Sequence, residues 1–191
     1  MIKIANLTKN YGPVTVLNIP ELEIPAGESF GLVGNNGAGK TTMFRCILDL
    51  IRPDSGTVSS KEVNIAASRS WKTFTGSYLD DGFLIDFFTP EEYFTFVADV
   101  YGLKEGDLAS FYSDFEEFFG NDILNKKKLI RDFSSGNRQR IGIAGALMPK
   151  PEVIVLDEPF NSLDPTTQIR IVHDLKTNQD TLKVLEEYFA A

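Results

Sequence analysis

The order of apolar and polar positions divides the chain into a β region, a helical middle and a region where strands alternate with helices. Short apolar runs separated by turn residues, such as "MIKIANL", "TVLNI", "LEIP" and "ESFGLVG", predict antiparallel strands and then a strand that leads into a loop. From Lys40 to Leu50 the period is helical, and Pro53 and Gly56 end that helix. Residues 57 to 79 return to strand character.

The middle of the chain, residues 83–133, is rich in phenylalanine at helical spacing. Ten of the 15 phenylalanines lie there, on segments such as "EEYFTFVADVYGL" and "LASFYSDFEEFFG". We interpret this segment as an inserted all-helical subdomain. Its rings can form the core of that subdomain or an apolar docking surface, since so small a unit has difficulty burying all of them.

The last third predicts an α/β core. "NRQRIGIAGALM" has the pattern of a helix, and "EVIVLDEP" is an apolar strand that a parallel sheet could bury on both faces. "DPTTQIRIVHDLK" predicts another helix, with Asp164 as N-cap and Pro165 in its first position. We expect one domain, 1–191, of α/β class. It would combine a mainly parallel sheet (core residues 1–82 and 134–191), an N-terminal antiparallel β subdomain and the helical insertion.

Composition and charge narrow the function classes. Nineteen basic against 27 acidic residues give a net charge of −8, so we expect no nucleic-acid partner. There is no apolar run of the roughly 18 to 20 residues that a membrane span needs, and the N-terminus lacks the apolar stretch of a signal peptide. The single Cys46 excludes an internal disulfide and a cysteine-based zinc cluster, which fits a cytosolic location.

"GLVGNNGAGKTT" has the spacing of a phosphate-binding loop, Gly34-x4-Gly39-Lys40-Thr41, between an apolar strand and a helix. The glycines let backbone N–H groups turn toward phosphate oxygens, and the helix adds its positive end. Lys40 would neutralise the β- and γ-phosphates, and Thr41 would offer its hydroxyl to Mg²⁺. The chain is therefore predicted to bind a nucleoside triphosphate.

A pair of carboxylates follows the strand "VIVL". A phosphate-binding loop needs an acidic residue at the end of a neighbouring strand to hold the metal, and Asp157 has that position. The adjacent Glu158 could take a proton from the attacking water.

On these motifs the chain resembles the nucleotide-binding domain of an ATP-binding cassette (ABC) ATPase, over nearly its whole length to about Lys176. The resemblance implies that Tyr11 stacks on adenine, that Val153–Glu158 is the Walker B strand with its catalytic glutamate, and that Asn161–Asp164 is the D-loop. It also implies that the Walker A residues bind nucleotide: Gly34, Asn35, Asn36, Gly37, Ala38, Gly39, Lys40, Thr41 and Thr42.

"FSSGNRQR" stands where this family has its signature, usually LSGGQ. Ser134 and Gly136 keep the serine and the second glycine, whereas Phe133, Ser135 and Asn137 differ from the family pattern. A serine hydroxyl and backbone N–H groups at a helix start form an anion site. The resemblance implies that this loop reaches ATP held by a second ATPase subunit, so that two ATP molecules are sandwiched in a homo- or heterodimer.

Two departures from the family pattern stand out. The glutamine at the entrance to the helical subdomain falls at Asp81, with Asp80 as the alternative, and Asp81 could still touch Mg²⁺. The only histidine, His173, comes too early for the family's switch histidine, so we exclude it from the site.

The tail "TNQDTLKVLEEYFAA" allows either a short strand, "TLKVL", or a helix with Leu182, Leu185 and Phe189 on one face. A helix directly after a helix would leave the sheet without a strand. Our hypothesis is that a segment near 176–182 is missing from the chain and that the last ten residues are the terminal helix of a longer domain. The hypothesis predicts a break in the ~3.8 Å spacing of consecutive Cα atoms between Asp174 and Val184.

The resemblance implies an ATP-hydrolysing subunit that powers a separate transmembrane subunit. "FTPEEYFTFVADVYGL" is similar to the subfamily that drives two-component exporters. We expect the chain to lie on the inner face of the cell membrane, with the membrane subunit docked on the helical subdomain. The alternatives are a soluble ABC-type ATPase without a transporter and a regulatory subunit with weak hydrolysis.

Overall fold

The computed structural model describes residues 1–160 and 182–185. The strands are β1 (Ile2–Tyr11), β2 (Val14–Ile24), β3 (Ser29–Gly31), β4 (Ser55–Ser60), β5 (Val63–Asn64), β6 (Thr75–Tyr78), β7 (Val153–Leu156) and β8 (Leu182–Leu185). The α-helices are α1 (Lys40–Ile47), α2 (Pro90–Tyr101), α3 (Glu105–Asp114), α4 (Glu116–Phe119) and α5 (Ser135–Leu147). Short 3₁₀ turns cover Ser70–Phe74, Asp81–Phe83 and Ile130–Asp132.

The N-terminal sheet is antiparallel, with the strand order β2-β1-β4-β5. The runs "TVLNI" and "LEIP" belong to the single strand β2, which continues through Pro20. Proline has no N–H group to give to a sheet, and it is tolerated here because β2 lies at an edge and needs partners on one side only. This sheet is the predicted antiparallel subdomain.

The second sheet is parallel, in the order β3-β8-β7-β6. All four residues of β7 are buried, and they alternate between two cores. Val153 and Val155 belong to the core formed with β1 and α1, whereas Ile154 and Leu156 belong to the core formed with α2 and α5. The predicted strand with two buried faces is confirmed, as is the α/β fold class.

The hypothesis of a terminal helix over the last ten residues is wrong for Leu182–Leu185, which form β8. β8 pairs in parallel with β3 on one side and with β7 on the other. These four residues therefore supply the strand between β3 and β7, and backbone hydrogen bonds to two neighbours decide against a helix. The Cα spacing from Asp174 to Val184 falls largely outside the described residues, and whether a segment is missing stays a prediction.

Much of the phenylalanine-rich segment makes a core. Phe94 and Phe119 are fully buried and Phe111 is nearly so; the ring centroid of Phe94 lies 5.0 Å from that of Phe111 and 5.3 Å from that of Phe119. The core interpretation holds for these rings. Others remain on the surface, with 52% of Phe83 and 62% of Phe87 exposed. That residues 83–133 form a unit of their own stays a prediction.

Candidate functional site

The phosphate-binding loop joins β3 to α1 and is shaped by its last glycine. Gly39 has φ 90° and is the N-cap of α1. A Cβ atom at this position would lie 2.6 Å from the carbonyl oxygen of Val16, so both the left-handed conformation and the space require glycine. The loop residues 34–38 are exposed, whereas Gly39 and Lys40 are buried.

Lys40 and Thr41, the first two residues of α1, point their side chains in different directions. The Lys40 Nζ atom donates a hydrogen bond to the carbonyl oxygen of Gly34 at 2.6 Å, so this side chain runs back along the loop. The Thr41 hydroxyl donates to Oδ2 of Asp157 at 2.6 Å. The structure thus brings the loop and the end of β7 into direct contact, although 116 residues separate the two partners.

Asp157 is held where a cation would be needed. Its backbone N–H donates to the carbonyl oxygen of Tyr78 at 3.0 Å, which carries the β6–β7 pairing one residue past the strand. The side chain is buried, and its Oδ1 atom has no hydrogen-bond partner in the part of the chain that the structure describes. Burial raises the pKa of Asp157; the hydrogen bond from Thr41 opposes that shift, and the charge of Glu158 adds to it.

These residues fit Mg²⁺. A buried carboxylate oxygen that has no partner among residues 1–160, beside a threonine hydroxyl, is the hard oxygen donor set that this ion prefers. When bound, Mg²⁺ would supply positive charge to phosphate oxygens. Thr41 and Asp157 would hold it.

Glu158 follows with its backbone in an unusual conformation. Its φ is 46°, in the left-handed region, and its carbonyl oxygen accepts a hydrogen bond from Nε2 of Gln139 at 2.8 Å. The residue borders two cavities. One, of about 480 Å³, is lined by the phosphate-binding loop; the other, of about 360 Å³, is lined by Asp81, Ser135 and Gln139. Both have the size of small-molecule sites.

The start of α5 is the other predicted anion site. Ser134 is the N-cap, and its hydroxyl oxygen accepts a hydrogen bond from the backbone N–H of Asn137 at 3.3 Å. Ser134 and Ser135 are exposed and Gly136 is half-buried. The turn has the anion-site geometry of a capped helix start.

A family model described as "ABC transporter" matches residues 17–161. The chain belongs to the ABC transporter family. This match runs from β2 through the phosphate-binding loop, the signature turn and the Walker B strand. The chain is therefore an ATP-binding cassette of the ABC ATPase family.

Curated relatives are named as ATP-binding proteins that serve transport or resistance. The bacitracin transport ATP-binding protein BcrA of Enterococcus faecalis is 37% identical over 166 residues, covering 86% of this chain and 53% of that protein. The linearmycin resistance ATP-binding protein LnrL of Bacillus subtilis is 33% identical, covering 95% and 58%. The phosphonates import ATP-binding protein PhnC of Wolinella succinogenes is 34% identical, covering 97% and 73%. The chain thus spans little more than half the length of the first two relatives.

Solved structures agree on the fold. An ATP-binding subunit of an ABC transporter matches with a TM-score of 0.85 at 25% identity, covering 97% of this chain and 79% of that one. A dimeric bacterial ABC transporter cassette matches with a TM-score of 0.83 at 23% identity, covering 98% and 88%. The predicted P-loop fold of an ABC cassette is confirmed.

Asp81, which stands near the family's glutamine, has both carboxylate oxygens engaged. Oδ1 accepts a hydrogen bond from the Tyr78 hydroxyl at 2.6 Å, and Oδ2 accepts one from Nε of Arg138 at 2.7 Å. The alternative, Asp80, accepts a hydrogen bond from the N–H of Gly82 and lies 3.8 Å from Arg45. A role for Asp81 in binding metal stays a prediction.

Tyr11 ends β1 with 53% of its surface exposed, and the Lys9 ammonium lies 5.6 Å from its ring centroid. An exposed ring is available for stacking, but among the described residues Val16, and not Tyr11, lines the cavity of the phosphate-binding loop. The adenine contact of Tyr11 stays a prediction. The D-loop, Asn161–Asp164, and His173 lie outside the described residues.

Sequence reasoning missed Gln139 and Arg138. Both follow the signature turn directly, within "NRQR". Recognising their roles needs the knowledge that the first turns of α5 lie across the ends of β6 and β7, which the spacing of residues does not contain.

Proposed function

We propose that the chain is the ATP-binding and ATP-hydrolysing part of a transporter and energises a separate transmembrane subunit. The observation that carries the proposal is the contact of Thr41 with the buried Asp157, next to Glu158, at the mouth of the phosphate-binding loop. Family membership supports the same activity. The named relatives transport or confer resistance to different compounds, so the transported substrate and the direction of transport are left open.

The residues of the site divide the work of hydrolysis. Backbone N–H groups of the loop and the Lys40 ammonium would hold the phosphates, and the carboxylate of Asp157 and the hydroxyl of Thr41 would hold Mg²⁺. Glu158 accepts a proton from the attacking water. Its carbonyl is fixed by Gln139, so the carboxylate starts from a restrained backbone. Catalysis here is positioning and electrostatics, and small displacements of these groups lower the rate.

A second ATPase subunit is part of the proposal. The start of α5 is exposed, and an anion site on an exposed turn suits a phosphate held by another molecule. The dimeric cassette of similar fold supports this arrangement. We propose that Ser134 and Gly136 of one subunit contact the ATP bound by the other.

The proposed docking surface for the transmembrane subunit is an apolar groove between α1 and the helical segment. This groove, of about 230 Å³, is lined among others by Leu50, Trp71, Phe83 and Tyr101. Leu50 is 47% exposed and Phe83 52%. Apolar side chains gathered on a surface mark interaction sites. None of the helices in residues 1–160 is long and apolar enough to cross a membrane. We propose a peripheral location on the inner face of the membrane.

Replacing Glu158 by glutamine tests the enzyme. The variant keeps the size of the side chain but removes the base, so we expect ATP turnover to fall by about 10²- to 10⁴-fold while ATP still binds. Phosphate release and nucleotide titration measure the two properties. Equal turnover in both proteins would contradict hydrolysis by this site and favour a regulatory subunit.

Replacing Phe83 by serine tests the docking surface. The variant removes an exposed ring from the groove, so we expect the chain to stay folded and to lose co-purification with the proposed transmembrane subunit. Phe96→Ser is the matched control, because that ring is 44% exposed on α2 and does not line the groove. Equal binding of both variants would place the docking surface elsewhere, and absence of any complex would favour a soluble ATPase.

A further inference from the structure

We propose that Asp81 and Arg138 are a positioning pair that fixes the signature turn for contact with nucleotide on a second subunit. The inference rests on the proposed function, because that turn acts only in a dimer. Asp81 falls at the position where the family has a glutamine, and in this chain its carboxylate accepts a hydrogen bond from Arg138.

Arg138 joins two points with one rigid group. Its Nε donates to Oδ2 of Asp81 at 2.7 Å, and its NH1 donates to the carbonyl oxygen of Phe133 at 3.0 Å. Phe133 directly precedes Ser134, the N-cap of α5. Because the guanidinium is planar, the position of Asp81 determines where the chain enters the signature turn.

Asp81 is itself anchored to the sheet. Its Oδ1 accepts a hydrogen bond from the Tyr78 hydroxyl at 2.6 Å, and Tyr78 is the last residue of β6. The Tyr78 ring also lies against Gly142 of α5, where a Cβ atom would come within 2.2 Å of ring carbon. Tyr78 therefore sets both the height of α5 above the sheet and the place of Asp81.

The same tyrosine contacts the proposed metal site. Its carbonyl oxygen accepts a hydrogen bond from the backbone N–H of Asp157 at 3.0 Å. A continuous series of hydrogen bonds thus runs from Asp157 through Tyr78, Asp81 and Arg138 to Phe133. The end of the Walker B strand and the signature turn are connected within one chain.

The pair is suited to positioning more than to stabilising the fold. The side chains of Arg138 and Asp81 are 29% and 33% exposed, and solvent screens such a pair so that it adds little to the free energy of unfolding. Removing it should leave the protein folded and release the turn.

The experiment uses the Glu158→Gln protein as parent, so that bound ATP persists. Asp81→Asn removes the charge, and Arg138→Lys keeps the charge but cannot reach both acceptors with one planar group. We expect each to weaken ATP-dependent dimerisation by about tenfold, the loss of a well-aligned charged hydrogen bond. ATP affinity of the monomer should change less than about twofold. The double variant should be no weaker than the stronger single variant, because both remove the same connection.

Glu152→Gln is the matched control. It also converts an acid to its amide and breaks an exposed ion pair, with Lys61, at the opposite end of β7. It should leave dimerisation unchanged. Hydrogen exchange of a peptide covering residues 133–138 gives a second measurement on the monomer: exchange should be faster in Asp81→Asn and Arg138→Lys and unaltered in Glu152→Gln.

Three results would overturn the inference. If the parent dimerises with ATP and both variants behave like Glu152→Gln, the pair positions nothing. If Asp81→Asn raises the Mg²⁺ concentration needed for dimerisation while Arg138→Lys does not, Asp81 acts as a metal ligand instead. A parent that stays monomeric at saturating ATP contradicts the dimer of the proposed function, and the inference fails with it even where the exchange data show the turn released.

Discussion

We propose that the starts of α1 and α5 both bind phosphate through backbone N–H groups, but the two starts are built in opposite ways. At α1 the N-cap is Gly39, which gives no side-chain hydrogen bond, and the turn surrounds a cavity of its own chain. At α5 the N-cap is Ser134, whose hydroxyl satisfies one N–H, and the turn faces outward.

The difference shows where the binding energy of each turn comes from. At α1, Lys40 and Thr41 line the cavity of the phosphate-binding loop, and the Thr41 hydroxyl reaches the buried Asp157. We therefore propose that a single chain can hold the phosphates and their metal. At α5, Arg138 is engaged with Asp81, and among the described residues no buried carboxylate lies beside the turn as Asp157 does beside α1. Under the proposed function, the first site binds nucleotide alone, and the second contributes when a partner brings the phosphate to it.

Replacing Asp157 by asparagine, at the α1 site, should have a larger effect than any change at the α5 turn. It should lower ATP turnover and raise the stability of the nucleotide-free protein. We expect turnover to fall by about 10²- to 10³-fold, as when one preorganised charged group is removed from a site. The nucleotide-free protein should gain stability at neutral pH. Burial raises the pKa of this carboxyl above 3.8, so the folded chain binds a proton more readily than the unfolded chain. The free energy of unfolding therefore decreases as the pH rises through the raised pKa. The variant has no carboxyl at this position, so its free energy of unfolding should not show this decrease.

Denaturant unfolding at several pH values between 4 and 7.5, without Mg²⁺, measures the effect, with Glu152→Gln as the control for removal of an exposed acid. A variant less stable than the natural chain at neutral pH would contradict a desolvated carboxylate at this position. Addition of Mg²⁺ and ATP should stabilise the natural chain more than the variant, because only the natural chain keeps the Asp157 carboxylate that would bind the metal.

The α1 site could be predicted from the sequence, and most of the α5 site could not. Gly34, Lys40 and Thr41 lie within one short loop in the sequence, and Asp157 follows a run of apolar residues typical of a buried strand, so local pattern and known chemistry suffice. The bond from Arg138 to Asp81 joins residues 57 apart, and it depends on how α5 crosses the sheet. No periodicity contains that information.

The fold shows the same limit. The phosphate-binding loop, the buried strand β7 and the phenylalanine core follow from spacing and burial. The apolar run around Leu182–Leu185 is so short that it fits both a strand and a helix, and only the hypothesis of a missing segment favours the helix. Pairing with β3 on one side and β7 on the other makes these residues a strand.

Replacing Ser134 by alanine is the smaller and sharper test of the comparison. Loss of an N-cap costs about 1 kcal/mol of stability wherever it occurs. Thr89 caps α2 with the same kind of hydrogen bond: its hydroxyl oxygen accepts from the N–H of Glu92 at 3.3 Å, and that of Ser134 accepts from the N–H of Asn137 at 3.3 Å. Thr89→Ala is therefore the matched control. We expect both variants to lose about 1 kcal/mol in urea unfolding.

Only Ser134→Ala should also weaken ATP-dependent dimerisation in the Glu158→Gln protein, by about fivefold, which corresponds to roughly 1 kcal/mol. The reason is that the Ser134 hydroxyl lies on the exposed turn that we propose to contact the ATP phosphate bound by the partner subunit. Equal dimerisation of the two variants would show that the Ser134 hydroxyl is a cap and nothing more. The anion site at α5 would then rest on backbone N–H groups alone, whereas the site at α1 would still combine such groups with the side chains of Lys40 and Thr41.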